Sequence, residues 1–289
     1  MTLGRVFIVG PTRSGTSLLQ RLLAEATGYL ALPESHLFTK GFNRNVRNFV
    51  VDIDSLIAAI LQYRHQLDDV NIVYDANEFE EVAIRISEMQ STFEIVDTVV
   101  ALYDRLTVFN QAPGWIEKTP AHSTRSALIA SAHTRPSIVH MTRSSQPTIR
   151  SRSSAAREWG SGESYLRSVA HWVATSLISN CRVQYGETLV DFNCLVTQPN
   201  ETVKKLCARL DIALIDARPN AGTANQAVAP SNEPWRLRAL EEPDASKAYA
   251  SDQILDRLFN PTNTGRFGDV VARSFALVEP RLAKEKVIC

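Results

Sequence analysis

The chain has 289 residues, 44% hydrophobic and 21% charged, enough to bury a sizeable core in one large α/β domain or two small ones. Lys+Arg and Asp+Glu both number 31, which excludes the basic excess of a protein that coats nucleic acid. No run of about 18 apolar residues is present to cross a membrane, and the short apolar run near the N-terminus has neither the length nor the cleavage site of a signal peptide.

Val6-Phe7-Ile8-Val9 is a continuous apolar run ended by Gly10-Pro11, as in a strand buried on both faces. Leu18, Leu19, Leu22, Leu23 and Ala26 then recur at helical spacing, with Gly28 placed as the C-terminal stop. Residues from about Ile53 to Phe109 read as several helices with no strand alternation. Trp115-Ile116-Glu117 and Ser137 to Met141 are strand candidates, the first followed by a helix from about Ala121. Pro147 suits an early helical position. Tyr165 to Ile178 is helical, Leu189 to Phe192 a short strand, and Glu201 to Leu210 a helix. Strands alternating with helices predict an α/β fold, a single domain over 1–289 whose central parallel sheet is flanked by helices. A helical insert is expected at about 42–110, and a loop or cover at about 216–245, where Pro, Asn and Ala accumulate.

Cys181, Cys194, Cys207 and Cys289 form no C-x-x-C pair. Zinc is therefore not expected and nothing demands a disulfide. The first three read as small buried hydrophobes and Cys289 as a loose terminal thiol, which fits a cytoplasmic protein.

The most informative stretch is Gly10-Pro11-Thr12-Arg13-Ser14-Gly15-Thr16-Ser17. It leaves a buried strand and opens a helix, the setting in which backbone N–H groups and the helix dipole hold a phosphate. Gly15 allows close backbone approach, and Thr16 and Ser17 add hydroxyls. Against the triphosphate loop GxxxxGK[ST], the glycine spacing is kept but the lysine position holds Thr16. That lysine serves the β- and γ-phosphates. Here the fixed cation is Arg13, inside the loop. The strand Ser137 to Met141 ends in Thr142-Arg143, a cation where a metal carboxylate would stand. The pattern suits a phosphate held without a divalent ion, although a Gly-Thr-Ser turn can also be no more than a helix cap.

Thr12 to Leu19 resembles the loop by which sulfotransferases hold the 5′-phosphosulfate of 3′-phosphoadenosine 5′-phosphosulfate (PAPS), in the arginine form of the bacterial, carbohydrate and tyrosyl-protein branches. Ile138 to Arg143, with Ser151 eight positions later, resembles the strand and helix that grip the 3′-phosphate. The resemblance implies a P-loop-like sulfotransferase fold, with Arg13, Ser14, Gly15, Thr16 and Ser17 on the phosphosulfate and Arg143 and Ser151 on the 3′-phosphate. An arginine pairs bidentately with phosphate and a hydroxyl completes the cradle. Glu117-Lys118-Thr119-Pro120 looks like the segment whose lysine approaches the sulfonate. Val190-Asp191-Phe192-Asn193-Cys194-Leu195-Val196 resembles the family's Val-x-Tyr-Glu-Asp-Leu-Val segment, with Phe for Tyr and no acidic pair. Thr264-Gly265-Arg266-Phe267 resembles the segment that closes over the nucleotide, so Gly265 and Arg266 join the implied site. After Arg143 the family's Asp-Pro is Ser144-Ser145-Gln146-Pro147 here. Arg150 and Arg152 read as a solvated basic face.

Sulfonate transfer needs in-line positioning, charge stabilisation on the leaving oxygen and a base for the acceptor proton. Lys118 is the candidate for the charge; it could otherwise be a surface lysine at a turn. The cytosolic branch has its catalytic histidine at the position of Pro120, so the base must come from elsewhere. Pro33-Glu34-Ser35-His36 resembles the glutamate-bearing segment that supplies the base in the bacterial and tyrosyl-protein branches. Leu30, Leu32 and Leu37 around Glu34 imply desolvation that lifts its pKa toward neutrality. His36 is the second candidate and His122 the third. His65, His133, His140 and His171 read as structural, and Trp115, Trp159, Trp172 and Trp235 as core or pocket wall. The expected acceptor is a small molecule, glycan or lipid, with PAPS as donor, adenosine 3′,5′-bisphosphate (PAP) as product and no metal. The alternatives are a small-molecule or nucleotide kinase with a divergent phosphate loop, or a non-catalytic nucleotide-binding protein.

Overall fold

In chain order the elements are β1 (Gly4–Val9), α1 (Thr16–Thr27), β2 (Leu30–Leu32), α2 (Leu37–Lys40), β3 (Phe42–Arg44), β4 (Phe49–Val51), α3 (Ile53–Asp69), α4 (Ala76–Glu88) and α5 (Thr92–Phe109). There follow β5 (Gly114–Lys118), a 3₁₀ helix (Pro120–Arg125), α6 (Ser126–Ile129), β6 (Ser137–Thr142), α7 (Ser145–Glu158), α8 (Tyr165–Gln184), β7 (Thr188–Asp191), α9 (Phe192–Thr197), α10 (Pro199–Leu210) and β8 (Val287–Ile288). They come from a computed structural model, which describes residues 3–44, 49–158, 165–215 and 287–289. Among the described residues no helix is long and apolar enough to cross a membrane.

The six-stranded sheet runs in the order β2-β5-β1-β6-β7-β8, every pair parallel. A parallel sheet is covered on both faces, and β1 shows how. Its side chains alternate with period two: Val6 and Ile8 join Leu19 and Leu23 of α1 and the apolar side of α10. Phe7 and Val9 face α2 to α6. The Phe7 ring meets Phe38, Tyr103 and Trp115 edge-on at centroid distances of 5.8, 5.9 and 5.1 Å, a favoured aromatic geometry. Trp115 is core, its indole N–H bonded to Asp104 at 2.8 Å.

Helix α1 ends as expected: Gly28 adopts φ 70° and its N–H returns to the Ala24 carbonyl, a conformation glycine takes without strain. Residues 53–109 are three helices, each with an Asp or Ser side chain capping its N-terminus: Asp52, Asp75 and Ser91. The insert expected to be helical from about 42 begins instead with the antiparallel pair β3–β4. Pairing decides these three-residue strands, not local periodicity. The helix expected from Ala121 starts one residue earlier as a 3₁₀ turn, with Pro120 at its first position. Phe192 opens α9 rather than closing β7, because Asp191 caps that helix through Asn193 N–H at 2.6 Å.

Two cysteine expectations are corrected. Cys181 is exposed. Cys289 is not loose but bonded to Cys194. The pairing of Val190 with Ile288 brings the C-terminal residue alongside the start of α9, a proximity invisible across a sequence separation of 95. Only Cys207 is the fully buried thiol that was expected. Disulfides belong to oxidising compartments, so the cysteines no longer favour the cytoplasm. Cys289→Ser is expected to cost about 2–4 kcal/mol of stability in oxidising buffer, read from denaturant melts. With dithiothreitol the two proteins should melt alike; equal midpoints without reductant would show that the bond adds nothing.

Candidate active site

Among the described residues, those picked out from the sequence on the phosphate loop and at the ends of β5 and β6 gather at the C-terminal edge of the sheet, where open parallel sheets place ligand sites. The loop after β1, the end of β5 and the end of β6 are neighbours there: Ile8 pairs with Lys118, and Val9 with His140.

The turn after Gly10 closes through Ser14 N–H to the Pro11 carbonyl at 3.1 Å. Arg13 takes the left-handed φ of 73°, a strained conformation for a non-glycine residue that tends to mark functional loops. Gly15 stands at φ 94°, and an added Cβ would come within 2.4 Å of the Phe192 ring, so only glycine fits. As the residue capping α1, Gly15 offers no side chain to the first-turn amides, which leaves them for an anion. Ser14 and Thr16 are buried, while Ser17 is half-buried.

The fold brings Arg13 and Arg143 together. Arg13 Nε donates to Ser151 Oγ at 3.0 Å, and Arg143 Nη1 to the Arg13 carbonyl at 3.1 Å. Arg143 lies over the Phe192 ring, 4.1 Å from its centroid, and its own carbonyl accepts the Trp172 indole N–H at 3.1 Å. Burial, with the neighbouring Arg13 charge, lowers the Arg143 pKa to about 10, so it stays charged at neutral pH. Two arginine charges near enough to repel each other, beside a helix N-terminus without a side-chain cap, form a donor set that suits phosphate. The residues therefore fit a phosphorylated donor. Arg150 is exposed and Arg152 half-buried. Gly265 and Arg266, the cover expected at 216–245, Trp159 and Trp235 lie outside the described residues.

The turn that must bring Glu34 back toward the loop is made by β2. Sequence reading missed this strand, three residues long and without alternation. It pairs with β5 from Leu30↔Trp115 to Leu32↔Glu117. Gln20 of α1 fastens it by donating to the Leu32 and Ile116 carbonyls at 2.7 and 3.0 Å. Glu34 then forms an ion pair with Lys118 through Oε1, and its Oε2 lies 3.3 Å from His36 Nε2. Lys118 is no surface lysine: its side chain is 7% exposed, against 25% for Glu34 and 37% for His36.

This arrangement overturns the expected direction of the Glu34 pKa. Burial does push it up, but the Lys118 charge and the hydrogen bonds from His36 and Lys118 more than offset that, and it falls to about 2. His122 is also reassigned. It is fully buried, with Nδ1 3.1 Å from Glu117 Oε2 and its ring edge-on to Phe38, so it cannot reach an acceptor. His140 is structural, held between Ser179 and Glu187. His171, read as structural, touches the phosphate loop, 3.4 Å from the Thr12 N and Oγ1.

Sequence reasoning missed Glu117, fully buried one residue before Lys118. An acidic residue inside an apolar strand is the signal that could have found it. It also missed Phe192 as the wall behind Gly15 and Arg143.

The fold has solved counterparts. The sulfotransferase domain from the curacin biosynthetic pathway superposes with a TM-score of 0.55 at 17% identity, covering 95% of this chain and 98% of that one. The sulfotransferase domain of the Synechococcus PCC 7002 olefin synthase gives 0.56 at 15%, covering 95% and 96%. Sulfotransferase STF9 from Mycobacterium avium gives 0.53 at 13%, covering 98% and 78%. No curated protein matches the chain in sequence. At such identities the superpositions establish the fold alone, and the sequence profile of the sulfotransferase family supplies the rest by matching residues 5–216. Strand, phosphate loop, paired arginines and the Lys118 strand all lie within that match; the chain belongs to the sulfotransferase family.

Proposed function

We propose that the chain transfers a sulfonate group from PAPS to a hydroxyl or amine of a small-molecule, glycan or lipid acceptor, releasing PAP. The observation that carries this reading is the convergence of Arg13, Arg143 and Ser151 beside the uncapped start of α1. That cluster provides charge and donors for two phosphate positions without calling on a metal.

When bound, PAPS would supply an electrophilic sulfonate and a phosphate leaving group. Arg13, the Gly15 backbone, Thr16 and Ser17 would hold the 5′ end and Arg143 and Ser151 the 3′-phosphate. Ser14, Gly265 and Arg266 complete the proposed set. Lys118 would place positive charge where negative charge collects on the leaving oxygen. Glu34 would take the acceptor proton, with His36 steadying its second oxygen. Lys118 and Glu34 neutralise each other, so the buried lysine and the partly buried carboxylate are both compensated.

Arg143→Ala tests the assignment. Loss of a charge-assisted pair should cost about 1.5–3 kcal/mol of PAP affinity, roughly ten- to a hundredfold, and little for adenosine 5′-phosphate. Equal losses for both nucleotides would show that Arg143 does not read the 3′-phosphate. The unaltered chain, given PAPS and assayed against phenol, alcohol and amino-sugar acceptors, should turn over in EDTA. Loss of activity in EDTA with recovery in Mg²⁺ would favour a kinase instead.

A further inference from the structure

Adjacent residues of β5 grip the Glu34 loop from opposite faces of the strand, as a period of two requires. Lys118 pairs with Glu34. Glu117 holds the next residue: its Oε1 accepts from Ser35 N–H at 3.2 Å and from Ser35 Oγ at 3.0 Å. The same oxygen accepts from the Thr119 hydroxyl, and Oε2 faces His122 Nδ1 at 3.1 Å. Ser35 Oγ also meets the Tyr103 hydroxyl at 2.8 Å. Burial works against the Glu117 charge, yet His122 and these hydrogen bonds hold its pKa below the ordinary value, so the anchor is ionised. A fully buried carboxylate is costly unless it is fully engaged. This one spends its hydrogen bonds on a loop of the site and on the 3₁₀ helix behind it.

The arrangement answers a demand of the chemistry. Lys118 has three donors but one charge, and that charge is neutralised while it pairs with Glu34, so balancing a leaving oxygen requires the pair to loosen. When Lys118 turns away, Glu34 loses its strongest tether. What then remains on the loop includes the end of β2, the Tyr103 hydroxyl on Ser35 Oγ at 2.8 Å, a long contact from His36 N–H to Thr119 Oγ1 at 3.5 Å, and Glu117, which takes both the N–H and the hydroxyl of Ser35. Resting on the reading of Glu34 as base, we propose that Glu117 is a positioning residue: by anchoring Ser35 it keeps the Glu34 carboxylate in place while its ion pair with Lys118 is open.

A double-mutant cycle on the full chain tests this, with PAP release from PAPS measured first in water and then with the fastest acceptor of the panel. Glu117→Gln should lower kcat about 10- to 100-fold through misplacement of the base, with PAP affinity, by calorimetry, within about twofold of the wild type. In a Glu34→Gln background the same change should cost less than about twofold, because the group it positions is already gone. Hydrogen exchange of the amides of residues 34–37 should quicken, since the Ser35 N–H loses its ionised acceptor. If Glu117→Gln does not melt cooperatively, Ser35→Ala carries the test, with the same pattern at about three- to tenfold, because it removes the hydroxyl's bonds to Glu117 and Tyr103 and leaves the Ser35 N–H on Glu117. An unchanged kcat, an equal penalty in both backgrounds, or PAP affinity falling in step with kcat overturns the positioning role alone. Full turnover by Glu34→Gln itself would remove the base assignment, and this proposal with it.

Discussion

Glu34→Gln is expected to lower kcat by about 10²–10⁴-fold, the usual worth of a general base, while the fold and PAP affinity stay close to the wild type. The amide keeps the shape and can still accept from Lys118, but it cannot hold a proton at neutral pH. The pH dependence carries a sharper expectation. With Lys118 as its partner, the Glu34 pKa is held down to about 2, because Lys118 and His36 outweigh the upward push of burial. A carboxylate so acidic is a feeble base. Once Lys118 is drawn to a phosphosulfate, burial remains and the lysine's contribution shrinks, so the Glu34 pKa rises. The acid limb of kcat, which reports the loaded enzyme, should therefore lie at higher pH than that of kcat/KM, which reports the free enzyme. Coincident limbs would show that Lys118 does not let go. His36→Ala should cost less than Glu34→Gln, since it removes only the 3.3 Å partner of Oε2. The reverse order, with Glu34→Gln active and His36→Ala dead, would move the base to His36.

What could be read from the sequence, and what could not, divides by the range of the interactions involved. β1 and α1 were legible because their patterns are local: four apolar residues ended by Gly-Pro, then helical spacing closed by Gly28. The Arg13 and Arg143–Ser151 elements were legible as motifs, and the fold brings them into contact. β2 was not legible, since Leu30-Ala31-Leu32 becomes a strand only by pairing with β5 and by the Gln20 bonds from α1. The Glu34 pKa was misjudged for the same reason. Its apolar neighbours are close in sequence, while the lysine that decides the sign stands 84 residues away. Glu117 was passed over as part of a family-like segment, although a carboxylate between Ile116 and Lys118 in a buried strand already requires buried partners.

Lys118→Met should lower kcat by about 10²–10³-fold, the worth of a donor aimed at developing negative charge, and should also reshape stability against pH. In the wild type Glu34 has a folded pKa of about 2, below its unfolded value of roughly 4.3. Its ionisation therefore stabilises the fold fully above the unfolded value, and that stabilisation is lost as pH falls from there through 2. Without Lys118 the largest remaining influence on Glu34 is burial, which raises the pKa. If it rises past the unfolded value, the sign reverses: the protonated form then favours the fold, fully at pH below about 4.3, and this is lost as pH climbs through the new folded value. The gap in melting midpoint between wild type and Lys118→Met should thus be wide at pH 7 and narrow on acidification. Adding Glu34→Gln to Lys118→Met removes the partly buried, unpaired carboxylate and should restore part of the lost stability at pH 7, while turnover stays low. A midpoint gap that ignores pH, or a double variant less stable than Lys118→Met alone, would show that Lys118 and Glu34 are not the coupled pair the geometry describes.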